Sequence, residues 1–133
     1  MAIFSDADVL YNVMGEMFAQ VAKKNPKAFD EMTKARLTVR FKVNAPQAEI
    51  TLDGKTRPPK ITYDAFSGRP DIDLELTGDN LDKLLSHQIS ATKAVTDGTI
   101  KFKGNPLKLK AMLEVIKAGN AVYAVVLKQN NLE

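Results

Sequence analysis

The alternation of apolar and polar residues is clearest near the carboxyl end. After the turn pair Asp97-Gly98, the apolar Ile100 and Phe102 alternate with Lys101 and Lys103. A period of two is typical of a strand with one face in the core and the other in solvent. The pattern therefore predicts a half-buried strand with a cationic outer face.

The residues after this strand change to the helical period. Asn105 is a good N-cap residue, and Pro106 suits the first helical position, where its missing N–H costs nothing. Gly119 is a typical C-terminal stop, so we predict a helix over residues 107–118. Its apolar residues recur at i, i+3, i+4 and i+7, and we expect them to face the core: Leu109, Met112, Leu113 and Ile116.

Two helices are predicted at the start of the chain. Ser5 or Asp6 can cap the first, and Asn25-Pro26 ends it. A short second helix is predicted over residues 26–36, with Phe29 and Met32 facing inward. The first helix carries one broad apolar stripe, formed by Val9, Leu10, Val13, Met14, Met17, Phe18 and Val21.

Four further strands follow from the same alternation, separated by turns rich in Pro, Gly, Asn and Asp. After the last of them, Asp79 is expected to cap a helix containing Leu81, Leu84 and Leu85. A short helix is predicted within residues 86–96, and residues 121–127 are predicted as helix, with a strand as the alternative. The four strands are predicted at 37–43, 48–53, 61–66 and 71–77.

Length, composition and charge limit the class of protein and the kinds of site that the chain can form. A chain of 133 residues, with 44% apolar and 26% charged residues, is expected to form a single globular domain over 1–133. There is no cysteine, which excludes disulfides and thiolate metal sites, and the net charge of +3 is mild. No leader-like start and no apolar run of about 20 residues is present, so we expect a soluble, cytoplasmic protein.

Few residues point to catalysis. His87 is the only histidine, and no serine or carboxylate constellation accompanies it, so we interpret it as an exposed polar residue and predict no catalytic or metal site. Lys103-Gly104-Asn105 is either an anion-binding nest at a helix start or an ordinary helix cap, and we favour the cap.

The acidic residues Asp71, Asp73 and Glu75 share one strand face and are an alternative cation site. We favour a solvated face instead, because lysines and arginines of neighbouring strands have the same parity and can pair with them across the sheet. RNA binding is disfavoured, since RNA-binding sheets expose aromatic residues, whereas Phe41 and Phe102 have the inward parity. The basic residues in question are Arg40, Lys42, Lys101 and Lys103.

Two segments resemble the sterol carrier protein family of lipid-transfer domains. The first, from Asp71 (Asp-Ile-Asp-Leu-Glu-Leu-Thr-Gly-Asp-Asn-Leu-Asp-Lys-Leu-Leu) to Ala94, is an alternating acidic strand followed by a leucine-rich helix. The second, from Asp97 to Leu113, contains Gly-Thr-Ile-Lys-Phe-Lys-Gly, which is similar to the family's Gly-Lys-Leu-Lys-Ile-Lys-Gly. The amino-terminal half matches the family in the order of its elements.

The resemblance implies an α+β fold, in which a mixed five-stranded sheet with helices over one face encloses an apolar tunnel. It implies non-enzymatic binding and transfer of a sterol, fatty acid, fatty acyl-CoA or phospholipid, without a cofactor, and transient contact with a membrane surface. The helix at 107–118 and the last apolar segment would gate or floor the tunnel. From inward parity or helical stripe, the expected lining residues are Phe18, Phe41, Ile50, Leu74, Leu76, Leu84, Leu85, Ile89, Phe102, Met112, Leu113 and Ile116.

A filled core and a lipid-sized cavity have the same composition, so other functions stay open. One is an accessory or interaction domain with a packed core, or one that holds a quinone-like intermediate for a partner enzyme. Another is a small hydrolase or isomerase with a carboxylate base, for which Asp71, Asp73, Glu75 and Asp79 are the candidates.

Overall fold

The computed structural model describes residues 3–132 and contains five α-helices and five strands within them. The helices are α1 (Ala7–Lys24), α2 (Asp30–Lys34), α3 (Gly78–Leu85), α4 (Ala91–Asp97) and α5 (Leu109–Gln129), with 3-10 turns at Pro26–Phe29 and Pro106–Lys108. The strands are β1 (Thr38–Asn44), β2 (Ala48–Asp53), β3 (Lys60–Tyr63), β4 (Ile72–Thr77) and β5 (Lys101–Gly104).

The five strands form one mixed sheet in the order β3-β2-β1-β4-β5. The central strands β1 and β4 are parallel, and the other neighbouring pairs are antiparallel. Helices α1, α3 and α5 cover one face with their apolar residues, which join those of the sheet in a single core cluster. The predicted α+β fold with a mixed five-stranded sheet is therefore confirmed.

The opposite face of the sheet, called the polar face below, has opposite charges on neighbouring strands, as expected. Arg40 of β1 donates two hydrogen bonds to its parallel neighbour Asp73 of β4, one of them from Nε over 3.1 Å. This hydrogen bonding raises the pKa of Arg40. On the other side of β4, Lys103 lies opposite Asp73, and Lys101 lies opposite Glu75. The acidic strand face is thus flanked by basic residues on both sides, as predicted.

Part of this polar face is covered by protein. Residues 64–71 connect β3 to β4 and must cross β2 and β1, because those strands lie between them. The backbone N–H of Phe66 donates to Glu49 Oε2 over 3.0 Å, which places the connection on the polar face. Thr38 and Thr51 on this face are buried. The face is therefore solvated only away from this connection.

The largest difference between the predicted and the observed helices is at Gly119, which lies inside a helix and does not end one. Helix α5 runs through it without a break, from Leu109 to Gln129, so the apolar residues 121–127 are its last turns. A Cβ atom at position 119 would lie 3.1 Å from Met17 Sδ of α1 and 3.6 Å from Leu85 Cδ2 of α3. Glycine is there to allow a close approach of three helices.

Two helix starts agree with the prediction and one differs. Asp6 Oδ1 accepts from Val9 N at the start of α1, and Asn105 Oδ1 accepts from Leu107 N before α5. At α3, Thr77 and not Asp79 is the N-cap residue, because its Oγ1 accepts from Asn80 N. The predicted strand at 61–66 is shorter, ending at residue 63, since the chain there leaves the sheet for the crossing.

Candidate functional site

The sheet register brings four of the expected lining residues into one row. Phe41 of β1 lies opposite Ile50 of β2 and beside Leu74 of β4, and Leu74 lies opposite Phe102 of β5. This row crosses four of the five strands on the face that carries the helices. The period-two pattern therefore identified the correct face for each of these residues.

The interior around this row is filled with side chains. Nine of the twelve expected lining residues are buried, none of them more than 7% exposed, and all nine belong to the core cluster. Ile89 and Phe102 are half-buried and pack against this cluster. The nine buried residues are Phe18, Phe41, Ile50, Leu74, Leu76, Leu84, Leu85, Met112 and Ile116.

Leu113 does not have the inward position that was predicted for it. It is half-buried, whereas Val115 is buried. The elements that pack on α5 include α1, α2, α3 and the first 3-10 turn. Leu113 lies at the edge of the stripe that they bury. The buried residues of α5 are Ala111, Met112, Val115, Ile116, Ala118, Gly119, Val122, Tyr123, Val126 and Leu127.

An apolar cleft opens between α1, the first 3-10 turn and the loop between β2 and β3. Two adjoining depressions of about 420 Å³ and 180 Å³ share Ala22, Phe29, Pro58 and Pro59, so they form one continuous feature. We call it the proline cleft. Its size falls within the roughly 300–1,000 Å³ of small-molecule sites, which are typically apolar with a few polar groups. Its deeper part is also lined by Gly15, Phe18, Ala19, Leu52 and Ile61.

The floor of the proline cleft connects it to the row of lining residues. Phe18 lines the deeper part of the cleft and is buried. Its ring lies 6.5 Å from the ring of Phe41, centroid to centroid, with an angle of 42° between the planes. This distance is within the range of a direct aromatic contact. The Phe18 side chain therefore lies between the cleft and Phe41 of the row.

Basic groups lie at the rim of the same cleft. Arg57 and Lys27 both line its outer part. The Arg57 guanidinium forms an ion pair with Asp30, another lining residue, and most of the Arg57 side chain is exposed. An arginine held at the edge of an apolar cleft can receive a carboxylate or phosphate by two parallel hydrogen bonds. The cleft therefore offers a place for both parts of an amphiphile.

Helix α5 is fastened to α3 by polar contacts within the apolar layer. The Asn120 amide donates to the carbonyl oxygens of Leu84 and Leu85, over 2.9 and 2.7 Å. The Tyr123 hydroxyl donates to Asp82 Oδ1 over 2.6 Å. Burial, together with this hydrogen bond, strongly raises the pKa of Tyr123. These contacts hold the last helix over the sheet.

The remaining candidate groups do not converge on one point. His87 is exposed, Asp73 pairs with Arg40, and Asp71 Oδ2 accepts from Thr38 N over 2.9 Å. Asn105 acts as an ordinary cap. Within residues 3–132 no group of three His, Cys, Asp or Glu side chains is placed to hold a metal ion. The same residues contain no helix that is long and apolar enough to cross a bilayer.

The fold and its apolar interior agree with a comparison to protein families. The model of the SCP-2 sterol transfer family matches residues 18–117, which is most of the chain and includes every strand. The chain belongs to the SCP-2 sterol transfer family. Domains of this family bind and transfer lipids, and they generally do so without catalysing a reaction. No curated protein sequence matches the chain.

Solved structures with the same fold are distant in sequence. Sterol carrier protein 2 from Yarrowia lipolytica in its apo form has a TM-score of 0.63 and 21% identity, over 86% of this chain and 91% of that one. The sterol carrier protein domain 2 of Helicoverpa armigera has 0.68 and 18%, over 88% and 91%. A UbiJ-SCP2 ubiquinone synthesis protein has 0.56 and 14%, over 82% and 89%. At these identities the likeness concerns the fold.

The proline cleft is a feature that sequence reasoning missed. The sequence pattern identifies the stretch from Lys55 to Lys60 only as a basic loop containing two prolines. Two adjacent prolines beside an arginine were the available signal, because they form a rigid apolar surface next to a cation. What the sequence could not show is that this loop lies against Ala22 of α1 and Phe29 of the 3-10 turn.

Proposed function

We propose that this protein binds and transfers single-chain amphiphiles, of which a fatty acid is the simplest, and that they enter through the proline cleft. The observation that carries this proposal is the continuous apolar lining of the cleft down to Phe18, with Arg57 and Lys27 at the rim. Burying an alkyl chain is favourable by about 0.8 kcal/mol per CH₂. Binding therefore needs few polar contacts.

The rim gives the orientation of the ligand. The carboxylate of a fatty acid would pair with Arg57, which is held in place by Asp30. The alkyl chain would then lie under Pro58 and Pro59 and point toward Phe18. The same arrangement suits the phosphate of a lysophospholipid, whereas a sterol hydroxyl brings no negative charge to the guanidinium. We therefore place anionic amphiphiles before sterols among the lipids that the family implies.

The expected lining residues other than Leu113 would form the inner part of the path. A chain longer than the cleft can continue only if Phe18 changes its rotamer and opens the space next to Phe41. It would then lie along the row Phe41, Leu74 and Phe102, below α5. The side chains of this row are closely packed, so the inner path opens as they move aside together.

A fluorescent fatty acid titrated into the purified protein tests the proposal. Ala19 is exposed and lines the deeper part of the cleft, so Ala19→Trp fills the cleft without disturbing the core. We expect this variant to lose at least about tenfold in affinity, since several buried CH₂ groups are displaced. Ala124→Trp, on an exposed position of α5, is the matched control and should bind normally. Equal binding by both variants would contradict the cleft as the entry.

The role of Arg57 is tested with a pair of ligands that differ only in the headgroup. We expect Arg57→Gln to weaken binding of a fatty acid and to leave binding of the corresponding fatty alcohol unchanged. The reason is that only the carboxylate gains a charge-assisted hydrogen bond from the guanidinium. If both ligands lose affinity equally, the arginine supports the loop and does not hold the headgroup.

A second candidate function is the holding of a quinone-like intermediate for a partner enzyme. It is supported by the filled interior, which suits a ligand held near the surface, and by the fold shared with a ubiquinone synthesis protein. Native mass spectrometry of protein that was never exposed to detergent separates the two. A co-purifying fatty acid or phospholipid supports the carrier, and a prenylated aromatic compound supports the alternative.

In either function we propose that the protein is not an enzyme and uses no cofactor, in keeping with the general behaviour of its family. Of the carboxylates considered for a hydrolase or isomerase, Asp73 and Glu75 are on the polar face of the sheet, and Asp79 is exposed in the first turn of α3. Neither these residues nor Asp71 lines the proline cleft. The cytoplasmic location expected from the sequence stays a prediction, which cell fractionation would test. The single-domain organisation over 1–133 also stays a prediction.

A further inference from the structure

The positive charge of the chain is concentrated in one segment. Residues 101–117 contain five lysines and one glutamate, which gives this segment a net charge of +4. The whole chain has a net charge of +3, so the rest of the chain is close to neutral. The segment comprises β5, the 3-10 turn at Pro106–Lys108 and the first turns of α5. These elements form one corner of the molecule, because β5 is an edge strand of the sheet.

At the centre of this segment is the most exposed large apolar side chain described in the structure. Leu107 is 88% exposed, compared with 47% for Val125 and 40% for Tyr63. The cap formed by Asn105 and the turn that starts at Pro106 hold it away from the core. We define the basic corner as Lys101, Lys103, Leu107, Lys108 and Lys110.

The lysines of the basic corner are available to a partner. The ion pairs described within residues 3–132 are Arg40–Asp73 and Arg57–Asp30, and neither includes a lysine of the corner. Asp73, the cross-strand neighbour of Lys103, is already bonded to Arg40. Lys101, Lys103 and Lys110 are exposed. The corner therefore presents a positive field around an aliphatic tip.

We propose that the basic corner docks on the surface of an anionic lipid bilayer, with Leu107 inserted between the headgroups and the lysines in contact with them. Lysines near such a surface are each attracted to its negative charge, and an inserted aliphatic side chain adds the gain of leaving water. This docking extends the proposed carrier function, because a lipid carrier has to meet a membrane. Its test does not depend on lipid uptake.

Two other roles for the basic corner, protection of the sheet edge and binding of nucleic acid, explain fewer of its features than membrane docking does. Lysines on an edge strand prevent pairing between sheets, which accounts for Lys101 and Lys103 but not for an exposed leucine nearby. A nucleic acid would also attract the lysines, but single-stranded nucleic acid stacks on exposed aromatics. Phe102, the aromatic residue of β5, is half-buried and faces the core. Charge and an aliphatic tip together fit a lipid surface best.

The experiment is co-sedimentation of the full chain with vesicles of phosphatidylcholine alone, or of phosphatidylcholine mixed with phosphatidylserine. Two variants change the corner: Leu107→Ser removes the tip, and the double variant Lys108→Glu with Lys110→Glu reverses two charges. Their matched controls are Val125→Ser and the double variant Lys23→Glu with Lys24→Glu, which make the same changes at exposed positions elsewhere. Thermal melts confirm that all four are folded.

We expect wild-type protein to bind the mixed vesicles and to bind them less as salt is raised. Each corner variant should lose at least about tenfold in partitioning, and each control should stay near wild type. Equal losses in the corner and control variants, binding that ignores phosphatidylserine, or preferential binding to nucleic acid over vesicles would overturn the proposal.

Fatty acid binding in vesicle-free solution separates this proposal from the carrier function. The corner variants should bind a fluorescent fatty acid as wild type does, because the corner shares no residue with the proline cleft. Failure of all proteins to bind fatty acid would contradict the proposed function, while the vesicle result would still decide the docking.

Discussion

Tyr123 and Asp82 show how one polar contact can stabilise an apolar helix layer. The Tyr123 hydroxyl is buried and donates to Asp82 Oδ1 over 2.6 Å, joining α5 to α3. We expect Tyr123→Phe to lower the free energy of unfolding by about 1–2 kcal/mol, because the carboxylate loses a buried donor. Urea denaturation followed by circular dichroism measures this. A change within experimental error would mean that water replaces the hydroxyl at no cost.

The same hydroxyl makes stability depend on pH at the alkaline end. Burial raises the pKa of Tyr123 in the folded protein above its ordinary value near 10. Below pH 10 the hydroxyl is neutral in both states, and its contribution is complete. Above pH 10 it ionises in the unfolded chain first, so stability falls as pH rises. We expect unfolding curves of wild-type protein to show this loss, and those of Tyr123→Phe to show less of it.

His87 occupies a position that favours glycine. Its φ is 65°, and the hydrogen bonds from His87 N to Leu84 O and from Gln88 N to Lys83 O form a Schellman motif at the end of α3. The left-handed conformation costs a non-glycine residue roughly 1–2 kcal/mol. Replacing it by glycine removes this cost, but the greater flexibility of glycine in the unfolded chain lowers the gain in stability by roughly 0.4–1 kcal/mol.

We therefore expect His87→Gly to raise the free energy of unfolding by about 0.5–1 kcal/mol. His87→Ala, which has to adopt the same positive φ, should give no such gain. Both variants should bind fatty acid normally, since His87 is exposed and lies outside the proline cleft. Weakened ligand binding by either variant would show that His87 has a functional role.

At the scale of elements, the contact between α1 and α5 depends on a missing side chain. A side chain at Gly119 would meet Met17 Sδ, because even a Cβ atom would be 3.1 Å away. We expect Gly119→Leu to cost about 1–3 kcal/mol through overpacking between the helices. Ala121→Leu, on an exposed position two residues along the same helix, is the control and should cost little. Thermal denaturation of both variants measures the difference, and equal melting temperatures would contradict it.

The order of the strands in the sheet is supported by the charges on its polar face. Their charges alternate between neighbouring strands, with the basic β1 and β5 on either side of the acidic β4. This pattern favours the observed order, because any exchange that placed β1 next to β5 would bring like charges together. The order of the sheet is thus supported by its polar face as well as by its core.

At the scale of the whole molecule, a ligand in the proline cleft should stabilise the fold. A ligand that binds only the native state at one hundred times its Kd adds about 2.7 kcal/mol. We therefore expect a saturating fatty acid to raise the melting temperature of delipidated wild-type protein by several degrees. Ala19→Trp should show a much smaller rise, and Ala124→Trp the full one. No rise for wild type would contradict binding to the native state.

The sequence by itself determined the features that depend on neighbouring residues. The alternation in β1, β2 and β4 was correctly predicted, and so was the cap at Asn105. Of the two candidates Ser5 and Asp6, the structure has Asp6 as the cap of α1. These features could be predicted because strand faces and helix starts are set within a few residues. The inward row of Ile50, Phe41 and Leu74 followed from the same period. The family resemblance added the mixed sheet with helices over one face.

Only the tertiary structure decided where one element touches another. Gly119 has the local signature of a helix stop, but it lies inside α5 because Met17, about a hundred residues earlier, packs against it. Leu113 fits the helical period but lies at the edge of the stripe of α5 that its neighbours bury. The proline cleft joins segments around residues 15–29 and 52–61, and no local pattern records their contact. Periodicity specifies which face of an element is apolar, whereas burial depends on what the rest of the chain brings against that face.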